Sequence, residues 1–175
     1  MQNSVLETNR LILRRFKTKD KGRVFELAKN ENVAYPCGFL AHRSLDETRD
    51  VIVNILQKRE HYAIVLKEQN LLIGVISLRF KEDSKLAFRN NEAEVGFWLG
   101  EEYWGFGFLK EAAQELFKYA FSKLNLDRIF ASCSIDNVRS FKVLEKLGFR
   151  YIFSRFIYMP LVNENRLSYI FLLRR

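Results

Sequence analysis

The sequence has few of the residues that form cross-links, break the chain or span a membrane. Its 175 residues include two cysteines, two prolines and eight glycines. Two cysteines cannot form a disulfide framework, and neither Cys37 nor Cys133 has metal-ligand spacing, so both are predicted to be reduced thiols packed as small apolar groups. The longest apolar runs, LLIGVI and YIFLL, are far shorter than the roughly 20 residues that cross a bilayer. These shortages argue against a disulfide-rich secreted domain and against a membrane-spanning protein.

Targeting and metal signals are also scarce. The N-terminal segment MQNSVLETNRLILRRF lacks the basic start and apolar stretch of a signal peptide, so a cytoplasmic location is expected. His42 and His61 have no carboxylate or cysteine partner at a useful spacing, so we expect no metal site and no Ser-His-Asp triad. The length predicts one domain over residues 1–175.

Positive charge is in excess. Lysine and arginine number 29 against 21 aspartates and glutamates, which gives a formal net charge of +8. Such an excess favours a partner with negative charge: a nucleic acid, an anionic lipid surface or a phosphate-bearing small molecule. Net charge alone does not choose among these partners.

Predicted strands and helices alternate along the chain. Strands are expected at 10–16, 61–68, 71–80, 92–100 and 128–135 and twice after 148, and helices at 20–30, 45–60, 109–124 and 137–147. Ser44 and Glu47 form a capping-box pattern at the start of the second helix. Four apolar residues of that helix share one face: Val51, Ile52, Ile55 and Leu56. We expect an α/β fold in which helices cover both faces of a mixed sheet.

The segment WLGEEYWGFGFLKEA, from Trp98 to Ala112, places two glycines between a strand and a helix. Gly105 and Gly107 allow a tight turn whose amides point into one concavity, and that concavity also receives the positive end of the helix dipole. Phosphate oxygens are its obvious ligands. The alternative is a tight turn that binds nothing. Lys110 stands where a Rossmann motif has its third glycine, and no Walker ending follows.

A resemblance to a known family rests on these motifs. The segments EVGFWLGEEYWGFGF and DNVRSFKVLEKLGF, with the opening T-x-R-L-I-L-R at Thr8 to Arg14, resemble the GNAT superfamily of acyl-CoA-dependent N-acetyltransferases. The likeness is greatest to its ribosomal-protein N-terminal (alanine or serine) acetyltransferase branch and covers nearly the whole chain. One departure is Glu102, which stands where the family pattern has Gln or Arg. The resemblance implies a GNAT fold with a mixed, mostly antiparallel sheet of about six to seven strands.

The same resemblance implies how acetyl-CoA is held. Backbone amides from Trp104 to Leu109 would bind the pyrophosphate, and the strand edge at Phe97, Trp98 and Leu99 would pair with pantetheine. Gly96 suggests a bulge that splays this strand from the next and opens the acyl-CoA cleft. The implied cofactor-binding residues are Phe97, Trp98, Leu99, Trp104, Gly105, Phe106, Gly107, Phe108, Leu109, Lys110, Asn137 and Ser140.

Several of these residues have a second interpretation. Lys110 either supplies charge near a phosphate or is a solvated lysine. Asn137, paired with Ser140 in the family, is also a natural helix N-cap. The last predicted helix has a basic face that consists of Arg139, Lys142 and Lys146. This face is directed towards either the 3′-phosphoadenosine or solvent. The aromatic residues around the glycines are expected to form core and cleft wall rather than a base-stacking surface.

The catalytic residues are expected to be Glu94 and Ser140. Glu94 lies on the strand that would hold pantetheine and is the candidate general base, directly or through water, although a strand carboxylate in a salt bridge is the alternative. Ser140 is the candidate proton donor to the leaving thiolate. The family's frequent tyrosine four residues later is Leu144 here, which is a second departure.

Amine basicity favours one kind of acceptor. At pH 7 roughly a seventh of α-amines with a pKa of about 7.7 to 8.0 are neutral, against about one lysine in two thousand. A protein or peptide N-terminus, such as that of a ribosomal protein, is therefore the expected acceptor. The resemblance implies that the loop 35–43 and the helix 45–60 select it. The alternatives are a polyamine or aminoglycoside acceptor, or an idle CoA-binding or nucleic-acid-associated protein. No membrane, direct nucleic acid or metal is required, and the protein is expected to be a monomer or homodimer.

Overall fold

A single eight-stranded sheet forms the centre of the molecule. The computed structural model describes residues 4–175; Met1–Asn3, which the predicted domain includes, lie outside this range. The strands are β1 (Leu6–Glu7), β2 (Leu11–Arg14), β3 (His61–Leu66), β4 (Leu71–Arg79), β5 (Glu92–Leu99), β6 (Arg128–Ser134), β7 (Arg150–Met159) and β8 (Glu164–Arg174). Their order across the sheet is β1-β2-β3-β4-β5-β6-β8-β7. Only the β5–β6 pair is parallel, so the expected mixed, mostly antiparallel sheet is confirmed.

Helices cover both faces of this sheet. They are α1 (Lys21–Ala28), α2 (Glu31–Ala34), α3 (Leu45–Val51), α4 (Phe108–Ser122) and α5 (Val138–Lys146). The crossover helix α4 buries one apolar stripe, Ala112, Ala113, Leu116, Phe117 and Ala120, in the larger core. Val24 and Leu27 of α1 pack in a second core on the opposite face, together with Ile52. The three- and four-residue spacing that predicted α4 therefore also identified its buried face.

The start of α3 differs from the predicted capping box. Ser44 Oγ accepts from the Glu47 amide at 3.1 Å, as expected, but the Glu47 carboxylate accepts from the Arg43 amide at 2.7 Å rather than returning to Ser44. After Val51 the helix continues as a π-helical segment, Ile52–Leu56. The wider turn rotates the apolar face, so Ile55 is exposed while Ile52 and Leu56 are buried. The prediction that Val51, Ile52, Ile55 and Leu56 share one face was therefore wrong at Ile55.

Two details of the expected sheet need correction. The structure has eight strands rather than six to seven, because the two-residue β1, which the sequence pattern did not predict, joins the same sheet. The predicted bulge at Gly96 is wrong, since Gly96 pairs with Ser77 in an uninterrupted β4–β5 ladder. Register shifts occur instead at Ile64/Val65 and at Tyr151/Phe153. Within residues 4–175, none of the helices has the length and apolarity to cross a bilayer.

Candidate active site

The parallel strands β5 and β6 separate after three residue pairs. Glu92–Glu94 pair with Arg128–Phe130, and beyond this point the two strands have no ladder between them. The gap opens into a cavity of about 1230 Å³. Its walls are the end of β5, the turn before α4, the first turns of α5, the segment 32–37 and the start of β8. The expected splay is thus present, and the end of pairing rather than a bulge produces it.

Along the open edge of β5, successive residues direct either their backbone groups or their side chains towards the cavity. The Trp98 carbonyl lies against Gly74 of β4, so the backbone of Trp98 faces its paired neighbour. The carbonyls of Phe97 and Leu99 are instead reached from the open side. Cys37 Sγ lies 3.9 Å from the Phe97 oxygen, and Trp104 Nε1 donates to the Leu99 oxygen at 3.0 Å. Phe97 and Leu99 therefore carry the backbone groups of the open edge, whereas Trp98 contributes its side chain.

The glycine turn presents a row of free amides. Gly105 and Gly107 have φ angles of 86° and 80°, a left-handed conformation that a side chain disfavours. Gly107 is the N-cap of the 15-residue α4 and provides no side-chain acceptor. Within residues 4–175, no acceptor binds the amides from Gly105 to Lys110. The predicted row is shifted by one residue, because the Trp104 amide already donates to the Glu101 carbonyl at 3.2 Å.

Residues from the start of β2 hold this turn in place. Arg10 Nη1 donates to the Phe106 carbonyl at 3.2 Å, and its guanidinium lies 4.5 Å from the centre of the Phe108 ring. Glu111, in the first turn of α4, accepts from the Arg10 amide at 2.9 Å and from Arg10 Nε at 2.7 Å. Thr8 Oγ1 donates to the same carboxylate at 2.5 Å. Although partial burial opposes it, these donors hold the pKa of the Glu111 carboxyl below its usual value. We call Thr8, Arg10 and Glu111 the turn clamp.

The start of α5 forms the opposite wall. Asn137 is its N-cap and accepts from the Ser140 amide at 3.1 Å, so the capping interpretation is confirmed. Asn137 Nδ2 also donates to the Pro36 carbonyl at 3.4 Å. Ser140 is half-buried and lines the cavity. The Arg139 guanidinium lies 4.1 Å from the centre of the Trp104 ring, a cation–π contact.

The start of α4 and the helix α5 contribute four basic side chains to the cavity. Lys110, Arg139, Lys142 and Lys146 are all among its lining residues. The same cavity is lined by the glycine turn with its free amides and by the N-terminal end of α4, whose dipole adds positive potential. This end of the cavity is therefore suited to an anion such as a phosphate ester.

Glu94 lies outside this arrangement. Its side chain is only 4% exposed and does not line the cavity. One oxygen accepts from Arg79 Nη2 at 2.6 Å, and the other accepts from Ser84 Oγ at 2.8 Å and the Lys85 amide at 3.0 Å. The salt-bridge alternative for Glu94 is thus present, and the structure does not bring this carboxylate together with Ser140.

The remaining wall includes two residues of β8, Glu164 and Arg166, that no sequence motif predicted. Arg166 Nη1 donates to the Tyr35 carbonyl at 2.6 Å, and its guanidinium stacks 4.0 Å from the centre of the Tyr35 ring. Arg166 Nε donates to Glu164 at 2.8 Å. The sequence contains one hint of this pair. Glu164 and Arg166 are two residues apart just before the apolar run of β8, and residues at this spacing lie on the same face of a strand. The helix expected at 45–60 contributes no residue to the cavity lining, whereas Tyr35 to Cys37 of the predicted loop do.

The two cysteines have different surroundings. Cys133 is buried in the core, as expected, and burial raises the pKa of its thiol to about 11. Cys37 lines the cavity instead of packing in the core, so its prediction was wrong. Solvent reaches Cys37 through the cavity, yet protein surrounds the thiol and raises its pKa to about 12. Both thiols are therefore neutral near pH 7 and weak nucleophiles.

Comparisons with known proteins identify the class of this fold and site. Residues 10–150 match the family model "Acetyltransferase (GNAT) domain". The chain is 30% identical over 148 residues to the uncharacterized N-acetyltransferase YnaD of Bacillus subtilis, covering 83% of this chain and 82% of the relative. It is 32% identical over 111 residues to the ribosomal-protein-serine acetyltransferase of Escherichia coli, covering 61% and 59%. The chain therefore belongs to the GNAT acetyltransferase family.

A solved structure agrees with this assignment. A GNAT-family acetyltransferase from Bacillus anthracis superimposes with a TM-score of 0.84 at 26% identity, covering 98% of each chain. The expected GNAT fold and the expected class of enzyme, an N-acetyltransferase, are confirmed. Acetyl-CoA is the acyl donor of this family. The free amides, the basic end of the cavity and the open β5 edge fit an elongated, phosphate-bearing thioester.

Proposed function

We propose that this enzyme acetylates the α-amine at the N-terminus of a protein or peptide, by direct transfer from acetyl-CoA in a ternary complex. The pyrophosphate would bind the amides from Gly105 to Lys110, and the pantetheine arm would pair with the β5 edge at Phe97 and Leu99. Lys110 and Arg139 would supply charge near the phosphates. The acceptor would enter beside Tyr35 and Glu164, away from the basic end.

The choice of an α-amine acceptor depends on one observation: the cavity contains few groups that could remove a proton from a strongly basic amine. Within the described residues its lining contains two carboxylates, Asp136 and Glu164, and no histidine. Glu164 is already paired with Arg166 at 2.8 Å. An α-amine is neutral often enough to react without a strong base, whereas a lysine or polyamine nitrogen requires a much larger pKa shift. The E. coli relative, whose printed name is ribosomal-protein-serine acetyltransferase, adds support for a protein acceptor.

A polycationic acceptor also lacks a suitable binding surface. Asp46 and Asp50 of α3 are exposed, and both pair with Arg49. The Glu47 carboxylate is engaged by the Arg43 amide. This region offers no unpaired acidic cluster among the described residues, whereas a polyamine with several ammonium groups needs several carboxylates. The acidic residues of α3 therefore do not favour the polyamine alternative.

The proposed transfer uses orientation and one hydroxyl. The neutral amine attacks the thioester carbonyl carbon, the C–S bond breaks, and the acceptor nitrogen loses its proton to water. Ser140 donates a proton to the leaving thiolate and is reprotonated from solvent. Glu94 takes no direct part in this step, because its side chain is buried outside the cavity lining and protein donors already occupy both its oxygens. An acyl-cysteine intermediate is disfavoured by the raised pKa of Cys37.

Thiol release from acetyl-CoA tests the acceptor. The panel contains a peptide beginning with Ser or Ala, the same peptide with a blocked N-terminus and a free lysine, spermidine, and an aminoglycoside. We expect release with the free N-terminus alone, acetylation of that nitrogen by mass spectrometry, and a rate that rises with pH up to about 8 as the α-amine deprotonates. Release only with spermidine or the aminoglycoside would establish the small-molecule alternative. No release from any acceptor, with CoA still bound, would establish the idle CoA-binding alternative.

Ser140→Ala tests the proton donor. General-acid catalysis contributes about 100-fold or more, so kcat should fall by at least 10-fold while the affinity for acetyl-CoA stays the same. Ser154→Ala, an exposed serine on β7, is the matched control and should retain full kcat. Full turnover in Ser140→Ala would mean that transfer depends on orientation alone.

A further inference from the structure

The outer strand β7 carries an apolar surface that the acetyltransferase site does not use. Strand order places β7 at one end of the sheet, where it pairs only with β8. Five large side chains along it are 40% to 68% exposed: Tyr151, Ile152, Phe153, Phe156 and Tyr158. Phe88, in the neighbouring loop, is 65% exposed. We call these six residues the aromatic edge.

The two ends of the sheet are unequal. The opposite end is β1, which is only two residues long, whereas β7 has ten residues. A long apolar edge strand presents unpaired backbone groups together with apolar side chains, and it favours pairing with another strand. The exposed side chains alternate between the two faces of the sheet and so flank the open edge on both sides, and exposed apolar surface of this extent is typical of interaction sites. The aromatic edge is therefore expected to be covered in the working protein.

We propose that the aromatic edge is covered by a second copy of this chain, with β7 pairing antiparallel to β7 about a two-fold axis. Such pairing consumes the long open edge of both copies, so the assembly closes at two chains. By contrast, if the partner strand kept an open outer edge, further chains could add to that edge and the assembly would continue to grow.

The area of the aromatic edge matches a small stable dimer. Large apolar side chains bury about 150 to 250 Å² each, so half-exposed side chains in this number offer at most about 600 Å² per copy. Covering both copies removes at most about 1,200 Å², the lower limit of specific interfaces. Backbone hydrogen bonds between the two β7 strands add to this apolar contact.

Charge selects the register of the two strands. The only charged residues of β7 are Arg150 and Arg155. A two-fold axis at Arg155 would place two guanidinium groups opposite each other, which is unfavourable. An axis at Ser154 instead places each Arg155, whose Nη2 donates to the Lys85 carbonyl of its own chain at 2.6 Å, opposite Phe153 of the second copy and avoids this repulsion. Lys85 also donates to the Tyr158 carbonyl, so pairing is expected before that residue.

The molar mass in solution tests this dimer. Sedimentation of the native chain at about 50 μM should give twice its 20.8 kDa mass. Phe156→Lys, at the most exposed position of the aromatic edge, should sediment as a monomer and still be thermally stabilised by CoA. Val53→Lys is the matched control, because Val53 is 50% exposed on another surface, and it should remain dimeric.

A cross-link tests the register without disturbing the apolar surface. Under oxidation, Ser154→Cys should form a disulfide between two chains, whereas Val53→Cys should not. Cys37 is present in both variants, so the difference between them reports position 154 alone. A monomeric native chain, a Phe156→Lys variant that stays dimeric, or equal cross-linking of the two cysteine variants would each overturn the proposal. None of these readouts depends on which amine the enzyme acetylates.

Discussion

The two halves of β5 differ in what lies beside them. From Glu92 to Glu94 the strand has β4 on one side and β6 on the other, and its carboxylates pair with Arg128 and Arg79. From Gly96 to Leu99 it keeps β4 but has no strand on its other side, and this half borders the cavity. The first half of the strand is thus held in the sheet on both sides, whereas the second half borders the candidate acetyl-CoA cavity. Substitutions along and around it should separate stability from binding.

The largest effect is expected on the cavity side, at Gly107. Gly107→Leu adds a side chain at a φ of 80° inside the turn that carries the free amides, so it should weaken acetyl-CoA binding by at least about 100-fold. The strained conformation costs only about 1 to 2 kcal/mol, so the fold should survive. Isothermal calorimetry and thermal melting measure the two quantities. Gly22→Leu, in α1 with nothing within 4 Å of an added Cβ, is the control and should bind normally. Unimpaired binding in Gly107→Leu would reduce the motif to a simple turn.

The turn clamp should give the next largest effect. Arg10→Ala removes the bond to the Phe106 carbonyl and leaves Glu111 without its ion pair, so the free amides lose their fixed orientation. We expect the Kd for acetyl-CoA to rise about 10-fold while kcat at saturating acetyl-CoA changes little. Lys67→Ala removes another surface ion pair, with Glu7, and should leave the Kd unchanged. Equal Kd values for the two variants would contradict a positioning role for Arg10.

The paired half of β5 should respond in stability instead of binding. Glu94→Gln keeps the shape of the side chain but removes the charge that Arg79 neutralises, so the free energy of unfolding should fall by about 2 kcal/mol. Turnover of the folded enzyme should stay within about 3-fold of the native value. Glu82→Gln changes an exposed carboxylate in the adjacent loop and should affect neither quantity. A 100-fold loss of kcat with normal stability would restore Glu94 as the general base.

The sequence predicted those parts of the site that depend on neighbouring residues. Gly105 and Gly107 precede an amphipathic helix within one segment, so the turn and its helix could be inferred from local spacing alone. Arg10 reaches Phe106 across 96 residues, and Arg166 reaches Tyr35 across 131. No local pattern encodes such pairs, because the sheet order that joins them is a property of the whole chain.

Glu94 shows a second limit of sequence-based prediction. Its position on β5 was predicted correctly, but its partners Ser84 and Lys85 come from an irregular loop that has no periodicity to analyse. The same holds for the end of the β5–β6 ladder, which was attributed to Gly96. A strand's pattern predicts which faces are buried, whereas the length of its pairing depends on the path of the neighbouring strand.

The smallest effect is expected at Lys110. Its substitution separates the contribution of side-chain charge to acetyl-CoA binding from the contribution of the backbone geometry of the turn. Lys110 is exposed at the start of α4 and lines the cavity, so its contribution to phosphate binding is screened by solvent. Lys110→Ala should raise the Kd for acetyl-CoA about 3-fold at low salt, and the difference from the native enzyme should vanish near 1 M salt, where the Debye length is about 3 Å. Lys118→Ala, two turns farther along the same helix, removes an equal charge about 12 Å away and should have a smaller effect. An unchanged Kd in Lys110→Ala would leave the free amides and the helix dipole as the main phosphate-binding groups at this end of the cavity.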